Sequence, residues 1–292
     1  MIHFDYTIVI FLNQFVRRSL ALDTFFLLGT SSDLLRGCFI AILIWWCWFK
    51  EGKQQRQNRE ILLYGIVASM GTVLLARTIA HIVPFRQRPI HNPELVLRFA
   101  EGLARHTLHG WSSFPSDHAA VFFALATSLW LVSRRAGALA MAHALFLVCL
   151  PRVCLGIHYP SDVLGGATIG VSLALLGLSV QVRGLVIGRA LRWLDRSPRF
   201  FYAVFFFLTY LIATIFSPVD ELWRFSPPAA QAAILGEIHS LVPAERLRME
   251  GAVGIFLFLI AGSLLANMIR VARIRPQHSH AHSALPPGRP AR

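Results

Sequence analysis

The chain has 292 residues, of which 55% are hydrophobic and 15% are charged, and its mean hydropathy is +0.56. A soluble domain carries about 25% charged residues, so this composition excludes an ordinary soluble enzyme. The formal net charge of +13 would suit a nucleic-acid binder. Its basic residues collect in alternate loops between apolar runs, however, as they do on the cytoplasmic side of membrane proteins. We therefore expect a membrane partner and no nucleic acid.

Apolar runs recur along the chain, and several approach the roughly 20 residues that a helix needs to cross a bilayer. They predict an all-α fold, a polytopic transmembrane helical bundle with a core of five to six helices plus two C-terminal spans. The approximate spans are residues 32–49, 61–83, 117–134, 137–155, 160–182, 200–218 and 251–270.

The pattern divides the chain into four parts. Residues 1–31 are moderately apolar and contain Arg17 and Arg18, so we expect an N-terminal interfacial segment; whether residues 8–30 cross the membrane is left open. No early basic region followed by a small-residue cleavage site marks a signal peptide. The other parts are a catalytic transmembrane core (32–182), a basic connector with two additional transmembrane helices (183–274), and a disordered basic tail (275–292).

Three polar clusters lie at the ends of these spans, where ionisable residues are costly unless they serve a function. They are Arg86-x-Arg88-Pro89, Pro115-Ser116-Asp117-His118, and Arg152 with His158 and Asp162. Counting spans from the basic loops places all three clusters on the face opposite the cytoplasm. We therefore predict a single site at the outer face of the membrane, built from three segments that are spread over some 80 residues.

His158 and Asp162 are spaced so that the carboxylate can reach the imidazole across one helical turn. A carboxylate on one ring nitrogen fixes the tautomer and leaves the other nitrogen able to attack, so His158 is the candidate nucleophile, through a phosphohistidine. Taken alone, this spacing more often marks a structural histidine. Its position at a helix start beside Arg152 favours the catalytic interpretation.

Pro115-Ser116-Asp117-His118 predicts a second helix start, where free backbone N–H groups and the Ser116 hydroxyl can bind phosphate oxygens. His118 is the candidate general acid for the leaving oxygen. Asp117 would repel a phosphate, so we expect it to cap the helix or hold an arginine. A capped helix without any function explains the Pro-Ser-Asp tripeptide equally well.

Arginine side chains can fork two donors onto phosphate oxygens, so Arg88 and Arg152 are candidate phosphate ligands. Arg77 is expected to point into the same cavity, one helical turn before His81, since a lipid-facing arginine is costly. Arg86 suits either a phosphate ligand or an interfacial anchor. No Cys/His/Glu cluster indicates a catalytic metal, and we expect neither a metal nor another cofactor.

Together these residues resemble the type-2 phosphatidic acid phosphatase family, which is related to the vanadium haloperoxidases. The family signature is Lys-x6-Arg-Pro, Pro-Ser-Gly-His and Ser-Arg-x5-His-x3-Asp. The chain offers His81-x6-Arg88-Pro89, Pro115-Ser116-Asp117-His118 and Pro151-Arg152-x5-His158-x3-Asp162. The resemblance implies a helical bundle with His158 as nucleophile, Asp162 orienting it and His118 as the acid. It also implies a phosphate pocket of Arg88, Ser116 and Arg152.

The chain departs from the signature at three positions. His81 stands in place of Lys, so that phosphate contact could fall to Arg77, and Asp117 in place of Gly alters the pocket's backbone geometry and charge. Pro151 in place of Ser removes a hydroxyl. Both histidines, both core arginines and the carboxylate of the signature are retained, which keeps the predicted chemistry complete.

Among family substrates we favour undecaprenyl diphosphate, hydrolysed on the outer (periplasmic) face of a bacterial inner membrane for cell envelope biogenesis. The motifs recognise phosphate and not the lipid tail, so other functions stay open. They are a phosphatase of phosphatidic acid, phosphatidylglycerol phosphate or lipid A, a lipid phosphotransferase, and, outside enzymes, an anion transporter or an inactive lipid binder. Fold alone does not choose among them, and the oligomeric state is open as well.

Overall fold

The computed structural model describes residues 2–101, 103 and 110–214, and this part of the chain contains helices and no strands, which confirms the predicted all-α class. The α-helices are α1 (Ile2–Asn13), α2 (Leu20–Ser31), α3 (Phe39–Phe49), α4 (Gln55–Ile82), α5 (Asp117–Val132), α6 (Arg134–His143), α7 (Leu150–Cys154), α8 (Pro160–Leu176), α9 (Val180–Arg196) and α10 (Pro198–Ala213). A π-helical turn (Leu34–Cys38) precedes α3, another (Ala144–Cys149) joins α6 to α7, and Pro89–His91 form a 3-10 turn.

Two described helices are long and apolar enough to cross a membrane, namely α4 and the continuous helix from Arg134 to Cys154. They match the predicted spans 61–83 and 137–155. Two bent pairs, α2 with α3 and α8 with α9, could each form one broken span, which would raise the number to four. Helices α5 and α10 are apolar and shorter. The protein is therefore a polytopic helical membrane protein. Residues 215–292, which include the predicted span 251–270 and the predicted tail 275–292, lie outside the described residues.

The predicted span 160–182 is wrong at its C-terminal end, because α8 stops at Leu176. Ser179 caps a new helix, α9, through its side chain and the backbone N–H of Val182, and the chain bends there by 82°. Helix α9 buries a stripe of side chains that includes Ile187, Leu191 and Leu194. An apolar stripe opposite a basic face suits a helix that lies along a membrane surface, and that location stays a prediction.

Helix α5 packs against α4, α6 and α8, and Phe122, Leu125 and Leu129 on α5 are buried in the main core. Two glycines let α8 lie directly on the backbone of α5. A Cβ at Gly166 would lie 2.1 Å from the carbonyl oxygen of Ser116, and one at Gly170 would lie 2.2 Å from that of Ala120. Small residues permit such close approach between membrane helices. The contact brings the N-terminus of α8 to the N-terminus of α5.

The N-terminal helix α1 packs against α7 and α8. Asp5 of α1 is fully buried and accepts hydrogen bonds from the backbone N–H (3.0 Å) and the hydroxyl (2.6 Å) of Ser161 at the start of α8. Residues 2–31 therefore contain two helices, of which α1 holds the first turn of α8. Their predicted interfacial location stays a prediction.

Candidate active site

The centre of the site is a contact between Arg88 and His158, which come from different segments and are both buried. Arg88 Nη1 lies 3.2 Å from His158 Nε2 and donates to the carbonyl oxygen of Ile157 at 2.9 Å. His158 Nδ1 lies 3.0 Å from the carbonyl oxygen of Ser113. A carbonyl oxygen only accepts, so Nδ1 carries the hydrogen and Nε2 holds a lone pair next to the Arg88 guanidinium.

The pKa of the His158 imidazole is lowered from its ordinary value of 6.5, first because the ring is buried and second because Arg88 is positively charged. Both effects disfavour the imidazolium. The ring is therefore neutral at neutral pH, which is the form in which Nε2 can act as a nucleophile.

Asp162 is fully buried and joins three segments. Its Oδ2 accepts from the backbone N–H of Tyr159 at 2.7 Å and from the hydroxyl of Ser113, and it lies 3.6 Å from His158 Nδ1. Its Oδ1 accepts from Arg86 Nη1 at 2.6 Å. The carboxylate thus acts on His158 by its charge and by holding Ser113, whose carbonyl makes the direct contact with the ring.

His118 is held by its own neighbour in the chain. Asp117 Oδ1 lies 2.8 Å from His118 Nδ1, and Asp117 Oδ2 accepts from Arg77 Nη2 at 2.8 Å. The Arg77 guanidinium also stacks on the Trp111 ring, 4.9 Å from its centroid. The Asp117 carboxylate therefore holds an arginine, as the sequence led us to expect, and it also orients the imidazole of the candidate acid.

Two further arginines border His118. Arg36 Nη1 lies 3.1 Å from His118 Nε2, and Arg152 is close enough to interact electrostatically with Arg36, Arg88 and Asp117. Arg152 is 3% exposed and donates from Nη1 to the carbonyl oxygens of Gly29 (3.2 Å) and Val148 (2.6 Å). Several buried cations close together create a strongly positive environment, which favours an anion such as phosphate.

Helix N-termini complete this environment. Ser116 is fully buried and its hydroxyl accepts from the backbone N–H of Ala119, so it caps α5. Its own N–H donates to the carbonyl oxygen of Asp162 at 3.0 Å, which ties the first turn of α5 to that of α8. Two helix N-termini that meet present partial positive charge and favour a bound anion.

The remaining predicted residues lie at the edge of this cluster. His81 is exposed in the last turn of α4, and its role as a phosphate ligand stays a prediction. Arg86 donates to Asp5 (2.5 Å), to Asp162 and to Ser161 (2.7 Å). These contacts tie α1 to the start of α8, a structural role that differs from both sequence-based interpretations of Arg86.

Sequence reasoning missed Asp5, Arg36 and Ser113. Asp5 lies in the apolar stretch Ile2–Asn13 and Arg36 lies near the start of the predicted span 32–49, so each showed the same signal as the other site residues, a charge beside apolar residues. Nothing in the sequence marks Ser113, because the group that contacts His158 is its backbone carbonyl, which every residue has.

The fold and site define a helical membrane protein with a buried, cationic site built around two histidines. Residues 60–184 match the family model described as the PAP2 superfamily, a stretch that contains all three motifs. The part of the chain that carries the motifs therefore matches the family that the motifs resemble.

Two curated relatives each match part of the chain. One is the bacitracin transport permease protein BcrC of Bacillus licheniformis, 30% identical over 119 residues, which are 41% of this chain and 55% of the relative. The other is named "Putative undecaprenyl-diphosphatase YbjG", from Escherichia coli (strain K12), and is 28% identical over 165 residues, 55% of this chain and 73% of the relative. The chain thus spans about half the length of BcrC. No solved structure matches it.

Proposed function

We propose that the protein is a membrane lipid phosphatase that hydrolyses a phosphate or diphosphate monoester through a phosphohistidine. The observation that carries the proposal is the state of His158. Its Nδ1 faces the Ser113 carbonyl at 3.0 Å and its Nε2 faces Arg88 at 3.2 Å. A histidine with an oriented lone pair directed at a guanidinium is arranged to attack a phosphate that the guanidinium binds.

The reaction has two steps. In the first, the Nε2 lone pair of His158 forms a bond to phosphorus, and the bond from phosphorus to the lipid oxygen breaks with its electrons staying on that oxygen. Protonated His118 gives its proton to the leaving oxygen where the oxygen needs one. In the second, water attacks the phosphohistidine, His118 takes a proton from that water, and phosphate leaves His158 free.

The charge of the transferring phosphate is stabilised by Arg88, Arg152 and the N-termini of α5 and α8. These groups supply the stabilisation that a metal ion gives in other phosphatases, so the proposed mechanism uses neither a metal nor another cofactor.

As substrate we favour undecaprenyl diphosphate, converted to undecaprenyl phosphate. The name of YbjG supports this choice, and so does the additional cation beside His118, since a diphosphate carries more negative charge than a phosphomonoester. Phosphatidic acid, phosphatidylglycerol phosphate and lipid A are the rival substrates. The basic loops predict that the site faces the periplasm of a bacterial inner membrane.

A transport function is the main alternative outside enzymes, and BcrC is named a transport permease. A transporter places its binding site near the bilayer midplane, at broken helices. Here the described site charges gather at the ends of helices, around the N-termini of α5 and α8. That arrangement favours chemistry at one membrane face.

The test is phosphate release by detergent-purified protein from undecaprenyl diphosphate, phosphatidic acid and lipid A. His158→Ala should abolish release, whereas His3→Ala, which removes an exposed histidine of α1, should leave it unchanged. Release from phosphatidic acid or lipid A alone would agree with the proposed mechanism and would refute undecaprenyl diphosphate as the substrate. Transfer of the phosphate to a second lipid instead of water would indicate a phosphotransferase. No release from any lipid by folded protein would refute the proposed function.

A further inference from the structure

The Arg36 guanidinium lies on the edge of His118 that must face a leaving group. Arg36 belongs to the π-helical turn Leu34–Cys38, its side chain is 9% exposed, and it pairs with Asp33. Its Nη1 is 3.1 Å from His118 Nε2. The other ring nitrogen, Nδ1, is held by Asp117. Any oxygen that approaches His118 Nε2 therefore comes within reach of Arg36.

The Arg36 contact also fixes the protonation state of His118. A guanidinium only donates hydrogen bonds, so Nε2 accepts, and Nδ1 carries the hydrogen that faces Asp117. In this state His118 Nε2 carries no proton, and it must first take one up before it can serve as the acid for a leaving alkoxide. A leaving alkoxide needs a proton, whereas a leaving phosphate is stable as an anion and needs only a counter-charge. The Arg36–His118 pair therefore suits a leaving group that is itself a phosphate.

The two phosphates of a diphosphate would have separate partners here. Arg88 contacts the nucleophile His158 and suits the terminal phosphate that is attacked. Arg36 contacts His118 and suits the second phosphate. The described contacts of Arg36, to Ser32, Asp33 and His118, use three of its five N–H donors, so the guanidinium can still fork onto phosphate oxygens.

An apolar groove lies beside the turn that contains Arg36 and suits the hydrocarbon tail of a lipid. It has a volume of about 1030 Å³ and runs between α3 and α10. Its lining begins at Asp33 and Cys38, which flank Arg36, and continues along Trp45 and Trp46 to Phe206 and Tyr210. A lipid whose second phosphate lies at Arg36 would place its hydrocarbon chain in this groove.

We propose that Arg36 forms a second phosphate subsite that selects diphosphate lipids. This inference rests on the proposed function. In the first step, the bond between the terminal phosphorus and the bridging oxygen breaks and its electrons stay on that oxygen. The leaving group is then the lipid monophosphate, and Arg36 neutralises the charge that it gains. No proton transfer is needed for this departure, and water later releases the terminal phosphate from His158.

Kinetics with Arg36→Gln test the subsite. Loss of one preorganised donor to a developing negative charge lowers the rate about 100-fold to 1000-fold. We expect a loss of that size in kcat/KM for polyprenyl diphosphate, and a loss below about 10-fold for phosphatidate, which has no second phosphate. Arg36→Lys should recover part of the diphosphate activity. Arg56→Gln is the matched control, since Arg56 forms an exposed pair with Asp195, and should change neither activity.

A purely structural role for Arg36, such as holding His118 in place, predicts something different. Both substrates would then lose activity to the same extent, and this result would overturn the proposal. The activity that Arg36→Gln retains toward phosphatidate shows at the same time that the variant is folded.

Binding separates this inference from the proposed function. Calorimetric titration with methylenediphosphonate and with inorganic phosphate requires no turnover. Wild-type protein should bind the diphosphonate more tightly, and Arg36→Gln should lose that preference. If wild-type protein releases phosphate from no lipid but shows this pattern, the proposed function fails and the subsite stands. If the preference is missing or survives in Arg36→Gln, the subsite is refuted.

Discussion

The carboxylate of Asp162 lies 3.6 Å from Nδ1 of His158, beyond hydrogen-bond distance, while the carbonyl oxygen of Ser113 lies 3.0 Å from the same nitrogen. The imidazole is thus oriented by a backbone carbonyl, and the carboxylate holds that segment through the Ser113 hydroxyl. The charge of Asp162 still acts on the ring and favours the imidazolium. The two effects can be separated by experiment.

The first prediction concerns the acid side of the pH profile. Only neutral His158 can attack, and burial and Arg88 lower its pKa below 6.5. As the pH falls, the contribution of His158 to kcat/KM should therefore stay constant down to pH 6.5. Below that pH, kcat/KM should decline as the ring is protonated. Asp162→Asn removes a charge that favours the imidazolium, so the decline should shift to still lower pH, with a lower plateau.

The substrate titrates identically with both enzymes, so the difference between the two pH profiles reports on the protein. An acid limb that stays in place, or moves to higher pH, would contradict the role given to His158.

The second prediction concerns His118 as a general acid. General acid catalysis contributes about 10²-fold to 10⁴-fold, so His118→Ala should reduce hydrolysis of phosphatidate by a factor in that range. p-Nitrophenyl phosphate releases a stable phenolate that needs no proton, and its hydrolysis should fall much less. Measuring kcat for both substrates tests this, and equal losses would indicate that His118 has another role.

The third prediction concerns the contact between α5 and α8. Gly166→Ala places a methyl group 2.1 Å from the Ser116 carbonyl oxygen, so the helices must separate and move the His158 segment away from His118. We expect kcat to drop at least 10-fold, since displacing catalytic groups by about 1 Å can cost 10²-fold.

Gly184→Ala is the control for this variant, because a Cβ at that position in α9 would meet no atom of the described residues within 4 Å, apart from its chain neighbours and its own helix backbone. It should keep full activity and unfold at the same or a slightly higher temperature, because alanine favours a helix over glycine. Normal activity in Gly166→Ala would show that the close helix contact is not needed for catalysis.

The fourth prediction concerns the buried Asp5. Asp5→Ala removes one of the two carboxylate partners of Arg86 and the acceptor of the first turn of α8, and breaking a buried charge pair costs about 3–5 kcal/mol. Since the Arg86 side chain is 28% exposed, we expect about 3 kcal/mol, seen as a lower thermal unfolding temperature in detergent.

Asp195→Ala breaks an exposed pair with Arg56 and should have little effect. If it destabilises the protein as much as Asp5→Ala does, burial is not the reason for the effect.

The sequence was sufficient to predict the helical class, to identify the three motifs as parts of one site, and to predict that Asp117 could pair with an arginine. These features depend on local patterns, such as apolar runs, helix caps and short spacings. The bend after Leu176 was missed because the apolar run continues through Gly177 to Val182, and hydropathy does not register a change of helix direction.

The contacts of Asp5, Arg36 and Ser113 could not be predicted for a different reason. Asp5 meets Ser161 across 156 positions and Arg36 meets His118 across 82, so each contact depends on how the helices pack. Single charges in apolar surroundings indicate that a partner exists, and only the packed structure identifies it.

The central claim is that His158 carries the phosphate during the reaction, and trapping the intermediate tests it most directly. Detergent-purified protein would be mixed with polyprenyl diphosphate labelled in its terminal phosphate, quenched within milliseconds and digested. We predict an alkali-stable, acid-labile label on the peptide that contains His158, which is absent in His158→Ala. Wild-type protein that releases phosphate without ever becoming labelled, or that carries the label on another residue, would contradict the account.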